Sequence, residues 1–316
     1  MLTRGLNPGD NYPVILEREG YYPVINGYRN LFIDSGERYR NGSTLDEVYT
    51  LFVMDRRLRA VLFRHITLAE ALLKSVCCYE FCSRHTDDNE AYLNPVNYRH
   101  EQQFRRMVVN LIDNMNTTLG RNPQKRPMLN KDYLKHYITK HDNVPLWVTM
   151  NSLTLGQAFT FYTLLNESTR FSISQRFQTM FNGMHGNAKL RITHKSIQRS
   201  YDHIKDFRNI CAHDERLFCA RVDKSKSTDF ARLMLDFYAV LTPEQCRSLL
   251  NGIRECIDFA TNRIDTVSEK EILSSMGFSS RNDIESRLLE GHVQQNAGSK
   301  ANAEQLGCNS IRAQHG

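Results

Sequence analysis

Apolar residues along most of the chain recur every three or four positions, and glycine and proline are sparse and bunched between these stretches. This spacing is typical of one face of an α-helix, whereas a half-buried strand alternates apolar and polar residues. The segments with helical spacing are 43–85, 100–120, 144–165, 195–218 and 242–265. The sequence therefore predicts an all-α fold built as a helical bundle.

Two of these segments open with clear signals of a helix N-terminus. In segment 43–85, Thr44 is followed three residues later by Glu47, which is the pattern of a capping box. In the last segment, Thr242 precedes Pro243, and proline is favoured at the first helical position. We expect both helices to begin at these residues.

The pattern divides the chain into three parts. Residues 1–42 are rich in Gly, Pro, Tyr and Asn, which predicts an irregular segment packed on the bundle. Residues 43–283 form the predicted helical domain. Residues 284–316 turn polar and rich in Gly, Ala, Asn and Gln, which predicts a flexible tail.

The composition is that of a soluble globular protein, with 41% hydrophobic and 24% charged residues. The chain has no apolar run long enough to span a membrane and no secretory signal at its N-terminus, which predicts a cytoplasmic protein without a membrane partner. Its eight cysteines are scattered, and Cys78 with Cys82 lacks the second pair that a zinc site needs. We therefore expect free thiols, no metal site and no cofactor.

Basic residues are unevenly distributed, although the net charge of +6 is itself a weak indication of a polyanionic partner. Segment 168–201 contains six Lys and Arg residues and no Asp or Glu, and segment 121–141 contains a single acid. Such clusters bind nucleic acid or simply form a solvated face. The candidate RNA-binding residues are Lys125, Arg126, Lys131, Lys135, His136, Lys189, Arg191, Lys195 and Arg199.

The stretch "RNICAH" places Arg208 five residues ahead of His213, with Asn209 between them, on a predicted helix. At about 100° per residue, Asn209 and His213 point away from the apolar face of this helix and Arg208 lies on its flank. The residues predicted to form that apolar face are Ile204, Phe207, Cys211 and Phe218. Arg208 and His213 diverge by about 140°, so either the long Arg208 side chain reaches round the helix or a second copy of the chain supplies the complement.

The chemistry available to this set is narrow. The surrounding sequence has no glycine-rich phosphate loop, no paired carboxylates with metal-site spacing and no Ser or Cys beside a base. An arginine and a histidine can nevertheless cleave RNA without a metal. The imidazole transfers protons near neutral pH, the guanidinium stabilises charge on phosphorus, and the substrate supplies its own 2′-hydroxyl nucleophile.

"RNICAH" resembles the Arg-x4–6-His signature of HEPN ribonucleases, and "FRNICAHDERLF" is similar to the form found in the abortive-infection Abi family, the AbiD/AbiF-like proteins. Four further elements of that family resemble segments here, in the same order along the chain. These segments are "INGYRNLF" at 25–32, "DRRLR" at 55–59, the Pro-x-Trp and Leu-x-x-Gly element within 144–165, and "ILSSMGF" at 272–278.

The resemblance implies an all-α HEPN-type bundle that forms a homodimer with its two motif helices facing each other. It also implies a metal-independent endoribonuclease that acts in phage defence or as a toxin and leaves a 2′,3′-cyclic phosphate. Arg208, Asn209 and His213 would be its catalytic residues. Some members of the family are encoded beside a structured non-coding RNA, which implies that such an RNA could be a bound antitoxin.

Two other functions remain open from the sequence. The chain could mainly hold a structured RNA, with little or no cleavage, or it could be a dimerisation bundle whose polar helix only solvates a surface. Among single residues, Glu70 could be the acidic partner of a motif arginine. We expect instead that it is solvated or paired with a Lys or Arg elsewhere. Trp147, the only tryptophan, is expected in the core. His136 and His141 suit phosphate contact and a solvated face equally well.

Overall fold

The computed structural model describes residues 2–34, 36–122, 131–141, 143–186, 190–222 and 228–292. It is 71% helical, which confirms the predicted all-α class. The α-helices of the described residues are α1 (Tyr12–Glu19), α2 (Leu45–Cys82), α3 (Gln102–Thr118), α4 (Asp132–Lys140), α5 (Leu146–Met150), α6 (Leu155–Leu164), α7 (Glu167–His185), α8 (His194–Ala212), α9 (Phe230–Val240), α10 (Pro243–Thr261), α11 (Glu269–Met276) and α12 (Arg281–Glu285). Short 3₁₀ or π turns cover Leu2–Arg4, Tyr22–Asn26, Arg29–Phe32, Ala91–Leu93, Pro95–Asn97 and Ser286–Glu290. Strands β1 (Arg221–Val222) and β2 (Thr228–Asp229) form a small antiparallel pair.

Helix α2 is the centre of the fold. Its 38 residues begin at the predicted capping box, in which the Glu47 amide donates to the Thr44 hydroxyl and the Thr44 amide donates to the Glu47 carboxylate. Its buried side chains continue from Leu45 to Phe81, and α7, α8 and α10 pack around it. The site described below lies where α8 runs beside α2.

Helix α10 approaches α2 closely at Gly252. A Cβ atom at this position would lie 2.6 Å from Val61 Cγ1, a contact that a stiff β-branched side chain cannot easily relieve. The predicted start of α10 is also confirmed, since Thr242 and Gln245 form a capping box and Pro243 is the first helical residue. The absent side chain at Gly252 therefore sets how near these two helices lie.

We expect Gly252→Ala to lower the free energy of unfolding by about 1–3 kcal/mol, because the added methyl group overpacks the α2–α10 contact. Gly183→Ala is the matched control. Gly183 is also inside a helix, α7, but a Cβ atom there meets nothing within 4 Å. The control should gain about 0.5–1 kcal/mol from the better helix propensity of alanine. Urea unfolding of both variants measures the difference, and equal effects would contradict the close-packing argument.

The segment predicted as one helix over 144–165 is two helices, α5 and α6. The break has a local cause, because Thr154 accepts a hydrogen bond from the Gln157 amide and so starts a new helix with its own capping box. Helices α4, α7, α9 and α11 lie in segments for which the sequence predicted no helix.

The predicted tail begins later than expected. Residues 284–292 belong to the packed fold, since Ile284 and Leu288 are fully buried and Arg287 forms a buried ion pair with Asp283. The isoleucine and the two leucines of this stretch form a short apolar stripe. The polar composition of the residues that follow hid this stripe from the sequence prediction. The remaining residues of the predicted tail, 293–316, lie outside the described residues.

Within the described part of the chain, no helix combines the length and the apolar character needed to cross a membrane. Every cysteine there is a free thiol, and the side chains of Cys77, Cys246 and Cys256 are buried. Cys308 lies outside the described residues.

Candidate active site at the end of helix α8

Helix α8 is held in place by polar contacts on its buried face. Its first turn is capped by Thr193, and the Tyr201 hydroxyl donates to the Ala69 carbonyl of α2 at 2.8 Å. Ser200 and His203 both bind the buried Asp236 carboxylate of α9, at 2.7 and 2.8 Å. The Ser200 hydroxyl donates to Asp236 and not to His203, so this cluster anchors the helix and is not arranged as an activated nucleophile.

The Arg208–His213 stretch lies at the C-terminal end of α8. The predicted helix over 195–218 was too long: α8 ends at Ala212, and His213 is its C-cap residue. The cause is Asp214, whose φ of 56° lies in the left-handed region and terminates the helix. Phe218 is buried as predicted, but a loop and not the helix carries it into the core.

Arg208 and His213 are not committed to other groups of the described part of the chain. Arg208 is half-buried, and its Nη1 makes only a weak contact of 3.4 Å with Asn209 Oδ1. In the described residues no carboxylate lies within ion-pair distance of Arg208, and the exposed imidazole of His213 has no hydrogen-bond partner. Lys205, one turn earlier, differs because it pairs with Asp202 at 2.6 Å and with Asp206 at 3.4 Å.

Asp55, a fully buried residue of α2, binds the backbone of the loop that follows His213. Its carboxylate accepts hydrogen bonds from the Leu217 amide at 3.0 Å and from the Phe218 amide at 2.7 Å. Arg59 donates to Asp55 at 2.8 Å and to the Glu215 carbonyl at 3.0 Å. We call this set, with Tyr28 and Asp214, the Asp55 network.

The other two members, Tyr28 and Asp214, come from distant parts of the sequence. Tyr28, in the N-terminal segment, donates its hydroxyl to Asp55 at 2.7 Å, and Asp214 accepts a short hydrogen bond from the second Nη of Arg59. Arg216 donates to the Gly27 carbonyl at 2.8 Å. The loop after the motif is therefore fixed by residues that lie far apart in the sequence.

The electrostatics of the Asp55 network follow from its burial. Burial raises the pKa of Asp55, and the hydrogen bonds from Tyr28 and Leu217 oppose that rise. Burial also raises the pKa of Tyr28, as does the neighbouring Asp55 charge, so the phenol keeps the proton that it donates. For Arg59, burial would lower the pKa, but the Asp55 charge raises it overall. The network is a buried ion pair whose oxygens are well supplied with donors.

Cys211, the next-to-last residue of α8, is not a nucleophile candidate. Its side chain faces the protein, and burial raises the pKa of its thiol to about 12. A thiol with so high a pKa stays protonated at neutral pH and reacts slowly.

Six of the predicted RNA-binding residues are described by the structure, in two groups that belong to different elements. Arg191, Lys195 and Arg199 are exposed at the N-terminal end of α8 and in the segment before it. At 1.5 Å per residue, Lys195 lies about 27 Å from His213 along the helix axis. Lys131, Lys135 and His136 belong to α4 or its N-cap, and α4 packs on α5. Lys125, Arg126 and Lys189 lie outside the described residues.

Two of the single-residue expectations have clear outcomes. Glu70 pairs with Lys74 at 2.6 Å, as expected for a glutamate without a role at the motif. The expectation that Trp147 is in the core was wrong, because its side chain is 48% exposed and lines a surface cavity of about 510 Å³ beside Glu70 and Lys74. Its neighbours Leu146 and Val148 supply the buried contacts of α5 instead. His136 and His141 are both exposed, which leaves both of their roles open.

The sequence analysis named the segments at 25–32 and 55–59, which contain Tyr28, Asp55 and Arg59, but assigned these residues no role at the site. Asp55 stands on the buried stripe of α2, between Leu51 and Leu58, where an apolar side chain is expected. A charged residue at such a position, with Arg59 one turn later, is the signal that could have revealed a buried ion pair. Among the described residues, no group of three or more His, Cys, Asp and Glu side chains is arranged to hold a metal ion.

Comparison with known proteins places this architecture in a family. The family model described as Abi-like protein matches residues 14–219, which include Tyr28, the Asp55–Arg59 pair and the whole of α8. No curated protein and no solved structure matches the chain significantly. The family match covers well over half of the chain. Membership of this family supports a role in abortive infection. The chain belongs to the Abi-like protein family.

Proposed function

We propose that the protein is a metal-independent endoribonuclease of the HEPN type that acts in abortive infection or as a toxin. The observation that carries the proposal is the pairing of an uncommitted guanidinium with an uncommitted imidazole at one helix end, Arg208 and His213, beside a loop held by the Asp55 network. Both groups are open to solvent and therefore accessible to an RNA phosphate.

The reaction uses the 2′-hydroxyl of the RNA. A base removes its proton, the oxygen attacks the adjacent phosphorus, and the bond from phosphorus to the 5′-oxygen breaks as that oxygen accepts a proton. The products are a 2′,3′-cyclic phosphate and a 5′-hydroxyl. His213 serves as general acid or base, Arg208 binds the phosphate and stabilises the charge that develops on it, and Asn209 orients the phosphate or the imidazole.

Within the described residues, each chain supplies a single imidazole at this helix end, that of His213, whereas the reaction needs both a base and an acid. We therefore propose a homodimer in which the two α8 ends face each other and each copy completes the site of the other. The divergence of Arg208 and His213 around α8 supports this arrangement, because side chains that diverge on one helix can converge across a two-fold axis. We also propose a structured non-coding RNA as the antitoxin partner, as the resemblance to the Abi family implies.

The decisive experiment is to incubate purified protein with RNA in the presence of EDTA and to determine the chemistry of the product ends. We expect cleavage with 2′,3′-cyclic phosphate ends and no cleavage of DNA of the same sequence. Cleavage that requires a divalent ion, or that leaves 5′-phosphates, would contradict the proposed chemistry. Sequencing of RNA that co-purifies with the protein would identify a bound partner.

Arg208→Lys tests the phosphate role. Lysine keeps the positive charge but cannot form the paired hydrogen bonds of a guanidinium, so we expect kcat for RNA cleavage to fall by about 10²-fold. Lys205→Arg is the matched control, since Lys205 lies one turn away and is already paired with Asp202. If Arg208→Lys cleaves RNA as fast as the control, the assigned role is wrong.

The alternative function is an RNA-binding protein that holds a structured RNA with little cleavage of its own. The exposed residues Arg191, Lys195 and Arg199 at the other end of α8 favour it. RNA affinity that falls with salt and persists in a double variant of Arg208→Ala and His213→Ala, with no product from the unmodified chain, would select this function.

A further inference from the structure

A cavity of about 620 Å³ lies at the end of α8 remote from His213. It is framed by the loop around Arg99 and by the first turns of two helices, α7 and α8. Its basic and polar lining consists of Arg99, His100, Arg170, His194, Lys195 and Gln198. Glu101 and Glu167 also line it.

Both helices point their N-termini at this cavity. Helices α7 and α8 each have 19 residues, and they are capped by Asn166 and Thr193, which accept hydrogen bonds from the Thr169 and Ser196 amides. The N-terminus of a helix carries a partial positive charge and favours anions. Two such ends at one cavity give a favourable field, although a helix end alone does not define a site.

Arg170 is the feature that points to a ligand. Its side chain is only 7% exposed, and its Nε donates to the Leu165 carbonyl at 3.1 Å. Within the described residues, its terminal Nη1 and Nη2 atoms make no hydrogen bond and no carboxylate lies within ion-pair distance. Burial and the nearby Arg99 charge lower the pKa of Arg170. A guanidinium so deeply buried normally has an anionic partner.

The acidic residues of the cavity do not supply that partner. Glu101 accepts hydrogen bonds from Arg99, at 2.7 and 3.1 Å, so its charge is committed there. Glu167 is exposed at the first position of α7 and forms no ion pair with any residue that the structure describes. The positive charges of Arg99, Arg170 and Lys195 exceed these two negative charges, even with both histidines neutral.

We propose that this cavity binds a phosphate of the RNA backbone, with Arg170 as the buried anchor and Lys195 at the rim. This inference rests on the proposed function and deepens it, because it places a second contact on the same helix as Arg208 and His213. RNA held here is guided along α8 toward the helix end where His213 lies.

An adjoining groove favours RNA over free phosphate. This groove, of about 480 Å³, shares His194 with the cavity and is lined by Arg191 and by Phe171, whose ring is 53% exposed. An exposed aromatic ring beside a basic cavity can stack an unpaired base next to a bound phosphate. Inorganic phosphate would make no use of the ring.

The test measures binding separately from cleavage. A fluorescein-labelled 2′-O-methyl oligoribonucleotide of mixed sequence, which lacks the nucleophilic hydroxyl, is titrated with the full chain at several salt concentrations and followed by anisotropy. Lys195→Gln should reduce the slope of log K against log salt by about 0.7, the value for one contact to a single-stranded phosphate. Gln198→Glu places a negative charge in the cavity and should weaken binding by about tenfold.

Matched controls are available on the surface. Lys270→Gln and Gln103→Glu make the same chemical changes at exposed residues of α11 and α3 that do not line the cavity. Phe171→Ala should weaken binding of the oligonucleotide. All five substituted residues are exposed, so the test does not depend on a variant that fails to fold.

Three results would overturn the inference. The first is that Lys195→Gln and Gln198→Glu bind like their controls. The second is that Phe171→Ala leaves binding unchanged while inorganic phosphate raises the Tm of the protein, since that points to a free-phosphate site. The third is that the protein does not bind the oligonucleotide. Cleavage of ordinary RNA by the same preparation is a separate readout, so failure of this site and failure of the proposed ribonuclease are distinguishable.

Discussion

His213→Ala should reduce the rate of RNA cleavage by about 10²–10⁴-fold, the range typical of a lost general acid or base. The protein should remain folded, because the imidazole is exposed and only the backbone of His213 takes part in the end of α8, through a 3.0 Å bond to the Asn209 carbonyl. We expect its free energy of unfolding to change by less than about 0.5 kcal/mol. Product formation in EDTA, normalised to folded protein, measures the effect.

His292→Ala is the matched control for this variant. His292 is also exposed and also engages the structure through its backbone amide, which donates to the Ser286 carbonyl. It should cleave RNA like the unmodified protein. Cleavage by His213→Ala within a few-fold of this control would show that another group performs the proton transfer. In that case the exposed histidine is only part of the solvated helix end.

Asp55→Asn should destabilise the protein by about 3–5 kcal/mol, because it removes the charge that faces Arg59 inside the fold. It also replaces one oxygen acceptor with an amide group that faces donors from Tyr28, Leu217 and Phe218. The remaining folded protein should cleave RNA more slowly, since the loop after His213 loses its attachment to α2. Urea unfolding gives the stability, and single-turnover cleavage gives the rate.

Asp214→Asn is the control that distinguishes the loss of a buried negative charge from the loss of an exposed one. Asp214 binds the same arginine, Arg59, but its side chain is 62% exposed. An exposed ion pair contributes about 1 kcal/mol or less, so this variant should be only slightly less stable. Equal losses in both variants would mean that the Asp55 network contributes no more than a surface pair.

Much of the fold could be predicted from residue spacing. The start of α2 at Thr44 and the start of α10 at Thr242 followed from capping patterns, which are local and therefore legible in the sequence. The missed helix α7 has a polar sequence rich in Ser, Thr and Gln, and its six buried residues include Thr169, Arg170 and Ser174. This helix is stabilised by tertiary packing rather than by a regular apolar stripe. The hydrophobic periodicity of its sequence is therefore weak.

The candidate site was predictable only in part. The sequence predicted that Arg208 lies on a helix, which is correct, but it also placed His213 inside that helix and did not predict the end of α8 at Ala212. That end depends on Asp214 and on amides that reach Asp55, a residue more than 150 positions earlier in the chain. Contacts at such separation leave no periodic trace. The exposure of Trp147 was missed for a related reason, since a single aromatic residue does not reveal which side of a short helix faces solvent.

The Asp55 network has a consequence for how related chains can diverge. Tyr28, Asp55 and Arg59 each satisfy a polar group that would otherwise be buried without a partner, and all three act on the loop beside His213. A change at one of them is tolerated only if the others change with it. In an alignment of relatives, these three positions should therefore covary as a unit, and chains that have lost the unit should be the ones in which Arg208 and His213 are also replaced.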